Sequence, residues 1–204
     1  MEYFPLFLDI ENKTVLICGN GRHALEKIRR LKPYQPKIVV ITPAPTAELT
    51  AMEGITMEAH RFSEADLDCH PAFVVTGENF EENRRISQIC REHRVPVNAV
   101  DQQSDCDFLF PALLKAGPLS VGISTSGASP TAAMELRDQF RELVPARIEE
   151  ILDWLVPARA RIFRQVEDKK LQRTIVRTVV QKAFPLDRPL TAGELSAILF
   201  EKSK

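Results

Sequence analysis

Thr14-Val15-Leu16-Ile17-Cys18-Gly19-Asn20-Gly21-Arg22-His23-Ala24 decides the fold. Residues 14–18 are a short, nearly continuous apolar run closed by a glycine turn, which predicts a buried strand. Residues 22–32 have the spacing of a helix, so the turn joins a strand to a helix. The turn itself fits G-x-G-x-x-[GA], with Ala24 in the last place. In that pattern Gly19 permits the tight turn, Gly21 lets backbone approach a pyrophosphate, and Ala24 lets helix and strand pack closely. The helix N-terminus then presents free N–H groups to an anion. A tight strand-to-helix turn that binds nothing fits the same residues. His23 reads as a partly exposed surface histidine rather than a catalytic one.

The pattern repeats outward. Residues 37–42 predict a second strand, ended by Pro43-Ala44-Pro45. Residues 55–60 are a weaker strand candidate, and 72–76 and 96–100 are two more. Residues 80–93 predict a helix with Ile86, Ile89 and Cys90 on one face. Strands alternating with helices indicate an α/β domain with a Rossmann-like parallel sheet. It is expected over residues 1–113. The second strand ends in Thr42-Pro43-Ala44, so the acid that commonly accepts a ribose 2′-OH is missing there.

Val97-Asn98-Ala99-Val100-Asp101 brings a carboxylate to a strand's C-terminal end, where open α/β sheets bind ligands. A general base would stand at Asp101; from position alone a capping or turn aspartate is the favoured reading. Leu119–Ser124 predicts a further strand, followed by the hydroxyl-rich run Thr125-Ser126-Gly127-Ala128-Ser129-Pro130. Ser129 suits a helix N-cap and Pro130 a first helical position. The run fits either an anion site or ordinary capping. The helix after it spaces Ala133, Leu136, Phe140 and Leu143 along one face. Beyond Pro145 the chain reads as wholly helical through residue 183. A last helix over 191–201 opens with a capping box of Thr191 and Glu194.

Bulk properties narrow the class. The 204 residues carry 27 Lys+Arg against 28 Asp+Glu, a formal net charge of -1, so no nucleic-acid partner is expected. No apolar run is long enough to span a bilayer, and Met1–Pro5 lacks the basic start of a signal peptide. The expectation is a cytoplasmic protein with no membrane partner. Cys18, Cys69, Cys90 and Cys106 form no CxxC pair, and His60, His70 and His93 have no ligand spacing, so no metal site is expected. Trp154 reads as packing. Arginines between 137 and 164 are interspersed with acids, which reads mainly as a solvated face.

Several blocks, in order, resemble the precorrin-2 dehydrogenase/sirohydrochlorin ferrochelatase family. They are Tyr3–Asp9, Val15–Gly21, Asn98–Asp101, Cys106-Asp107-Phe108, Gly117-Pro118-Leu119, Ile123–Pro130 and Leu136-Arg137. The resemblance covers nearly the whole chain. It implies a Rossmann domain, a dimerisation segment over 114–145 and a C-terminal helical domain over 146–204, working as a homodimer. It implies NAD-dependent oxidation of the tetrapyrrole precorrin-2 to sirohydrochlorin, a step in siroheme biosynthesis, with ferrochelatase activity in some members. Asp101 would then be the catalytic base. Gly19, Asn20, Gly21, Arg22, His23, Thr42, Pro43, Ala44 and Gly77 would line the NAD site, and Ser124, Thr125 and Ser126 would hold substrate carboxylates. The family's V-A-x-R-K reads His23-Ala24-Leu25-Glu26-Lys27 here, and its A-T-D-D reads Thr76-Gly77-Glu78-Asn79. The family glycine after the first helix is absent, with Pro33 and Pro36 in that region. All three departures lie on the cofactor side. Two alternatives stand beside this reading: a chelatase-dominant enzyme inserting Fe or Co, and a non-catalytic nucleotide-binding sensor. The C-D-F block and the Ser-Pro helix speak against a sensor, which needs neither.

Overall fold

The computed structural model describes residues 3–202, and they divide into two compact units, with the boundary between Leu109 and Phe110. In the first unit β1 (Thr14–Cys18) leads into α1 (Arg22–Leu31), then β2 (Lys37–Ile41), the short α2 (Ala47–Thr50) and β3 (Ile55–Glu58). β4 (Phe73–Thr76), α3 (Phe80–Glu92) and β5 (Val97–Ala99) complete it. The five strands are all parallel, in the order β3-β2-β1-β4-β5. The order reverses at β1, which pairs with β2 on one side and β4 on the other. The crevice of such a sheet opens at that reversal, above the carboxyl ends of the strands.

Burial explains the strands. Val15, Leu16, Ile17 and Cys18 are all buried, as are Phe73, Val74 and Val75 of β4. Both faces of these strands are covered, so they read as continuous apolar runs rather than as alternation. β3 sits at the edge and alternates between half-buried and exposed residues, which is why its sequence signal is weak. α1 buries Ala24, Leu25, Ile28 and Leu31. α3 buries Ile86 and Cys90, while Ile89 is only partly buried beside them.

Cys106-Asp107-Phe108 fastens the loop after β5. Asp107 N–H donates to Val97 O at 2.8 Å, and its carboxylate accepts from Val97 N–H at 3.1 Å and Arg91 Nε at 3.2 Å. Asn98 Nδ2 donates to Phe108 O at 2.9 Å, and Phe108 stacks edge-on against Phe73. Cys106 Sγ donates to Ala99 O at 3.1 Å. These bonds satisfy an edge strand, so the C-D-F block is a clasp of the fold and gives no argument against a sensor.

The second unit opens with a hairpin, β6 (Ala112–Ala116) and β7 (Leu119–Ile123), antiparallel and separate from the parallel sheet. Gly117 takes φ +51 at the two-residue turn, a conformation that Gly adopts freely. The sequence pattern showed β7 but not β6, which is mostly half-buried and carries Lys115. α4 (Pro130–Leu143), α5 (Ile148–Gln165), α6 (Lys169–Leu186) and α7 (Ala192–Lys202) follow. The region expected to be wholly helical through 183 holds two helices, α5 and α6, with a corner between them. Val166 is extended, and Asp168 caps the new helix by accepting Leu171 N–H at 2.5 Å. Gln172 Nε2 donates to the freed Val166 carbonyl at 2.7 Å. The apolar period runs through this corner because α5, α6 and α7 share one core around Ile151, Ile162, Ile175, Val179 and Ile198. The Thr191–Glu194 box forms as expected, with bonds of 2.7 and 3.3 Å.

Asn83 is the buried polar support of the sheet's carboxyl edge. Its Oδ1 accepts Thr76 Oγ1–H at 2.7 Å and Glu78 N–H at 2.9 Å. Asn83→Ala leaves both donors without that acceptor, and should lower stability by about 1–3 kcal/mol in urea unfolding. A change below ~0.5 kcal/mol would show that solvent replaces the amide there.

Candidate functional site

The first unit gathers its loops at the carboxyl edge of β1, β2, β4 and β5. Gly19 holds φ +127, and a Cβ there would sit 3.1 Å from Gly77 O. Gly21 caps α1 with extended backbone and no side-chain bond to the helix, and a Cβ there would meet nothing within 4 Å. The first turn of α1 thus leaves backbone N–H groups facing an open approach, the cradle a pyrophosphate requires. Asn20 Nδ2 donates to Ala44 O at 2.8 Å and ties the loop after β2 to the glycine turn. Thr42 is 1% exposed, and its Oγ1 accepts Ala44 N–H at 3.4 Å, so it shapes this loop rather than lining the crevice. Pro43 and Ala44 are exposed on the rim.

Two of the unusual residues belong together. A Cβ on Gly77 would lie 3.2 Å from His23 Cβ. A side chain at 77 would therefore crowd the Cβ that any non-glycine residue at 23 carries. His23 Nε2 reaches to 3.8 Å from Asp101 Oδ2, and the two side chains are 48% and 83% exposed. Asp101 lies two residues past β5 in a turn with φ +60, the left-handed region. That conformation is uncommon for a non-glycine residue and is tolerated best by Asn and Asp. Lys27, one turn after His23 on α1, feels the Asp101 charge. Burial holds its ammonium below the ordinary value, Arg30 adds to this, and Glu26 and Asp101 oppose it. The sequence pattern placed Asp101 as a lone acid; the fold gives it a histidine.

A second feature has no motif in the sequence. A cavity of about 290 Å³ lies between the ends of β1 and β2 and the start of α3, lined by Cys18, Pro43, Arg61, Glu78 and Glu82 among others. Glu82 accepts from Arg61 Nη2 at 2.5 Å and from Arg85 Nη2 at 2.6 Å. Hydrogen bonds from Arg85 and then Arg61 pull its carboxyl down to about 2. Glu78 moves the opposite way, raised by burial and then by the Glu82 charge. Burial keeps the Cys18 thiol well above its ordinary value, and pushes Cys90 up to about 12. Only the Asn79 cap, accepting Glu82 N–H at 3.0 Å, was a readable hint of this cluster.

In the second unit the hydroxyls of Ser124, Thr125 and Ser129 are engaged with their own loop. Thr125 Oγ1 accepts Ser129 N–H at 3.1 Å and donates to Ser129 O at 3.0 Å. Ser124 Oγ accepts Ser126 N–H at 3.1 Å, and Ser129 Oγ caps α4 through Ala132 N–H at 3.1 Å. Ser126 takes φ +52. Among the described residues no group of three or more His, Cys, Asp or Glu is arranged to hold a metal, and no helix is long and apolar enough to cross a membrane.

A parallel sheet reversing at β1, with an open glycine cradle at the reversal, defines a Rossmann-like dinucleotide-binding protein. A family model described as "Putative NAD(P)-binding" matches residues 6–112, more than half of the chain, and the chain belongs to that family. Its cofactor is a nicotinamide dinucleotide. A second model, "Sirohaem biosynthesis protein central", matches residues 116–143. The siroheme synthase of Thioalkalivibrio sulfidiphilus is 30% identical over 176 residues, covering 85% of this chain and 36% of that protein. That of Azotobacter vinelandii is 31% identical, covering 95% and 42%. The chain thus spans about two fifths or less of these relatives' length. The solved structure of SirC, a precorrin-2 dehydrogenase, shares the fold, with a TM-score of 0.70 at 21% identity over 98% of this chain and 99% of that one.

The Glu82 cluster carries a pH signature. Its carboxyl lies lower in the folded protein than in the unfolded chain, so its contribution to stability is present above the unfolded value of ~4.3 and is lost as pH falls toward 2. Glu82→Gln should flatten the loss of stability between pH 5 and about 2, measured as urea midpoints across that range. A parallel slope in both proteins would place the acid sensitivity elsewhere.

Proposed function

We propose that the protein is an NAD-dependent precorrin-2 dehydrogenase that forms sirohydrochlorin in siroheme biosynthesis. The observation that carries this reading is the Asp101 carboxylate, turned by its left-handed backbone to within 3.8 Å of His23 at the mouth of the glycine cradle. The sirohaem-type central segment and the siroheme synthase relatives supply the substrate class.

Oxidation of the reduced macrocycle removes a hydride and a proton. Bound at the cradle, the dinucleotide supplies the hydride acceptor. The α1 N–H groups at Arg22 and His23 would hold its pyrophosphate, with Gly19 and Gly21 allowing the approach. Asp101 accepts the proton at its carboxylate, with the His23 ring 3.8 Å away. Ser124, Thr125 and Ser126 hold substrate carboxylates through the hydroxyl capacity left by the loop bonds. Chelation of Fe²⁺ or Co²⁺ by the same protein would use Asp101 to take pyrrole N–H protons.

The working form is a homodimer. α4 buries only Ala133, while Leu136, Phe140 and Leu143 continue the same stripe exposed, Leu143 at 78%. A second copy covering this stripe would remove an apolar patch from water. Sedimentation should show a dimer at micromolar concentration, and Leu136→Glu with Phe140→Glu should give a folded monomer. A parent protein that is already monomeric would remove the dimer from this reading.

Incubating purified protein with precorrin-2, with and without NAD, and following the absorption spectrum tests the activity; Fe²⁺ or Co²⁺ added afterwards tests chelation. Asp101→Ala and Asp101→Asn should each cut turnover by roughly 10²-fold or more, the scale of a lost general base. NAD binding, measured by calorimetry, should persist in both. If both variants turn over at nearly the parent rate, Asp101 is a turn residue and the proton leaves by another route.

A further inference from the structure

In dinucleotide-binding sheets the strand beside the first one commonly ends on an acid that accepts the adenosine ribose 2′-OH; where that position is phosphorylated, an Arg stands nearby instead. β2 ends here on Ile41, and residues 42–46 contain no acid. The Asn20–Ala44 bond draws this loop against the glycine turn. Beside that bond, between α1 and the loop, opens a cavity of about 540 Å³. Its charged lining is Arg22, Glu26, Arg29 and Glu48, joined by the polar Asn20 and Thr46.

The two carboxylates are already compensated. Glu48 binds Arg29 Nη2 at 2.8 Å, and Glu26 lies 3.7 Å from Arg30 Nη1. The Arg22 side chain lines this cavity and has no ion pair or hydrogen bond among the described residues. It stands at the first position of α1, where backbone N–H groups and the helix dipole also favour an anion. The cavity therefore holds one uncommitted guanidinium, room, and no acid assigned to a ribose hydroxyl.

We propose that this site accepts a 2′-phosphorylated nicotinamide dinucleotide, with Arg22 taking the phosphate, so that the protein binds NADP⁺ as well as NAD⁺. The inference rests on reading the first unit as a dinucleotide site. A guanidinium matches phosphate with paired N–H donors, whereas an acid at the end of β2 would repel it.

Calorimetric titration of the whole protein with NAD⁺, NADP⁺ and 2′-AMP tests this without any turnover. The dissociation constant for NADP⁺ should lie within about tenfold of that for NAD⁺, and 2′-AMP should compete with NADP⁺. Arg22→Gln should weaken NADP⁺ at least ~10-fold more than NAD⁺, the scale of a charge-assisted bond. Arg22→Lys, which keeps the charge without the fork, should fall between. Circular dichroism of each variant checks that α1 persists.

NADP⁺ binding more than about 100-fold weaker than NAD⁺ overturns the inference. So does an Arg22→Gln variant that weakens both equally, because Arg22 then serves the pyrophosphate. If Glu48→Gln weakens NAD⁺ selectively, Glu48 accepts the 2′-OH and the proposal fails. In each of these cases NAD⁺ still binds and the dehydrogenase reading stands; if neither dinucleotide binds, both fall together.

Discussion

The seating of β1 between β2 and β4 is the constraint on which the rest of the first unit depends. Gly19 N–H donates to Ile41 O at 3.1 Å, and Gly77 N–H donates to Cys18 O at 2.9 Å. These bonds carry the ladder past the last strand residues into the glycine turn. Gly19 then comes so close to the Gly77 carbonyl that a side chain would press on it. The crevice exists because three chain segments meet there with almost no side-chain bulk between their backbones. Asn83 below it and the Asp107 clasp beside it keep the neighbouring segments at their height.

This geometry bears on two of the cofactor-side departures from the family pattern, His23 and Gly77. His23 and Gly77 face each other, a Cβ on Gly77 lying 3.2 Å from His23 Cβ. Neither residue alters the backbone cradle, because the N–H groups of α1 do not depend on which side chains follow Gly21. His23 changes what stands beside the cradle, putting a titratable ring next to Asp101. Nor is the loop after β2 merely a strand end lacking its acid. It is pinned by the Asn20 side chain, and its own Thr42 hydroxyl is turned inward.

The second unit follows a different logic. α5, α6 and α7 satisfy one another around a shared apolar core, closed by Asp168 at the corner and by the Thr191–Glu194 box. Arg147 N–H donates to Asp187 at 2.8 Å, joining the start of α5 to the end of α6. The hairpin and α4 lack a comparable core: β6 and β7 are mostly half-buried, and α4 buries a single alanine. That contrast marks residues 110–143 as the part of the unit whose apolar surface is not satisfied internally.

By itself, the sequence determined the alternation of strands and helices, the glycine turn and the caps. Each depends on residues within a few positions of one another: Gly19-Asn20-Gly21, Ser129-Pro130, Thr191 with Glu194. It also brought Asp101 to a strand end, since a short apolar run closed by an acid is a local pattern. Tertiary structure alone decided what faces what. The His23–Asp101 approach joins residues far apart in the chain, and so do Asn20 with Ala44 and Arg61 with Glu82. No periodicity announces such pairs, because they arise from parallel strands that lay distant loops along one edge. The break at Val166–Asp168 escaped for the converse reason. The apolar spacing of one shared core runs unbroken across the corner, and only the Asp168 cap and the Gln172 bond turn the chain there.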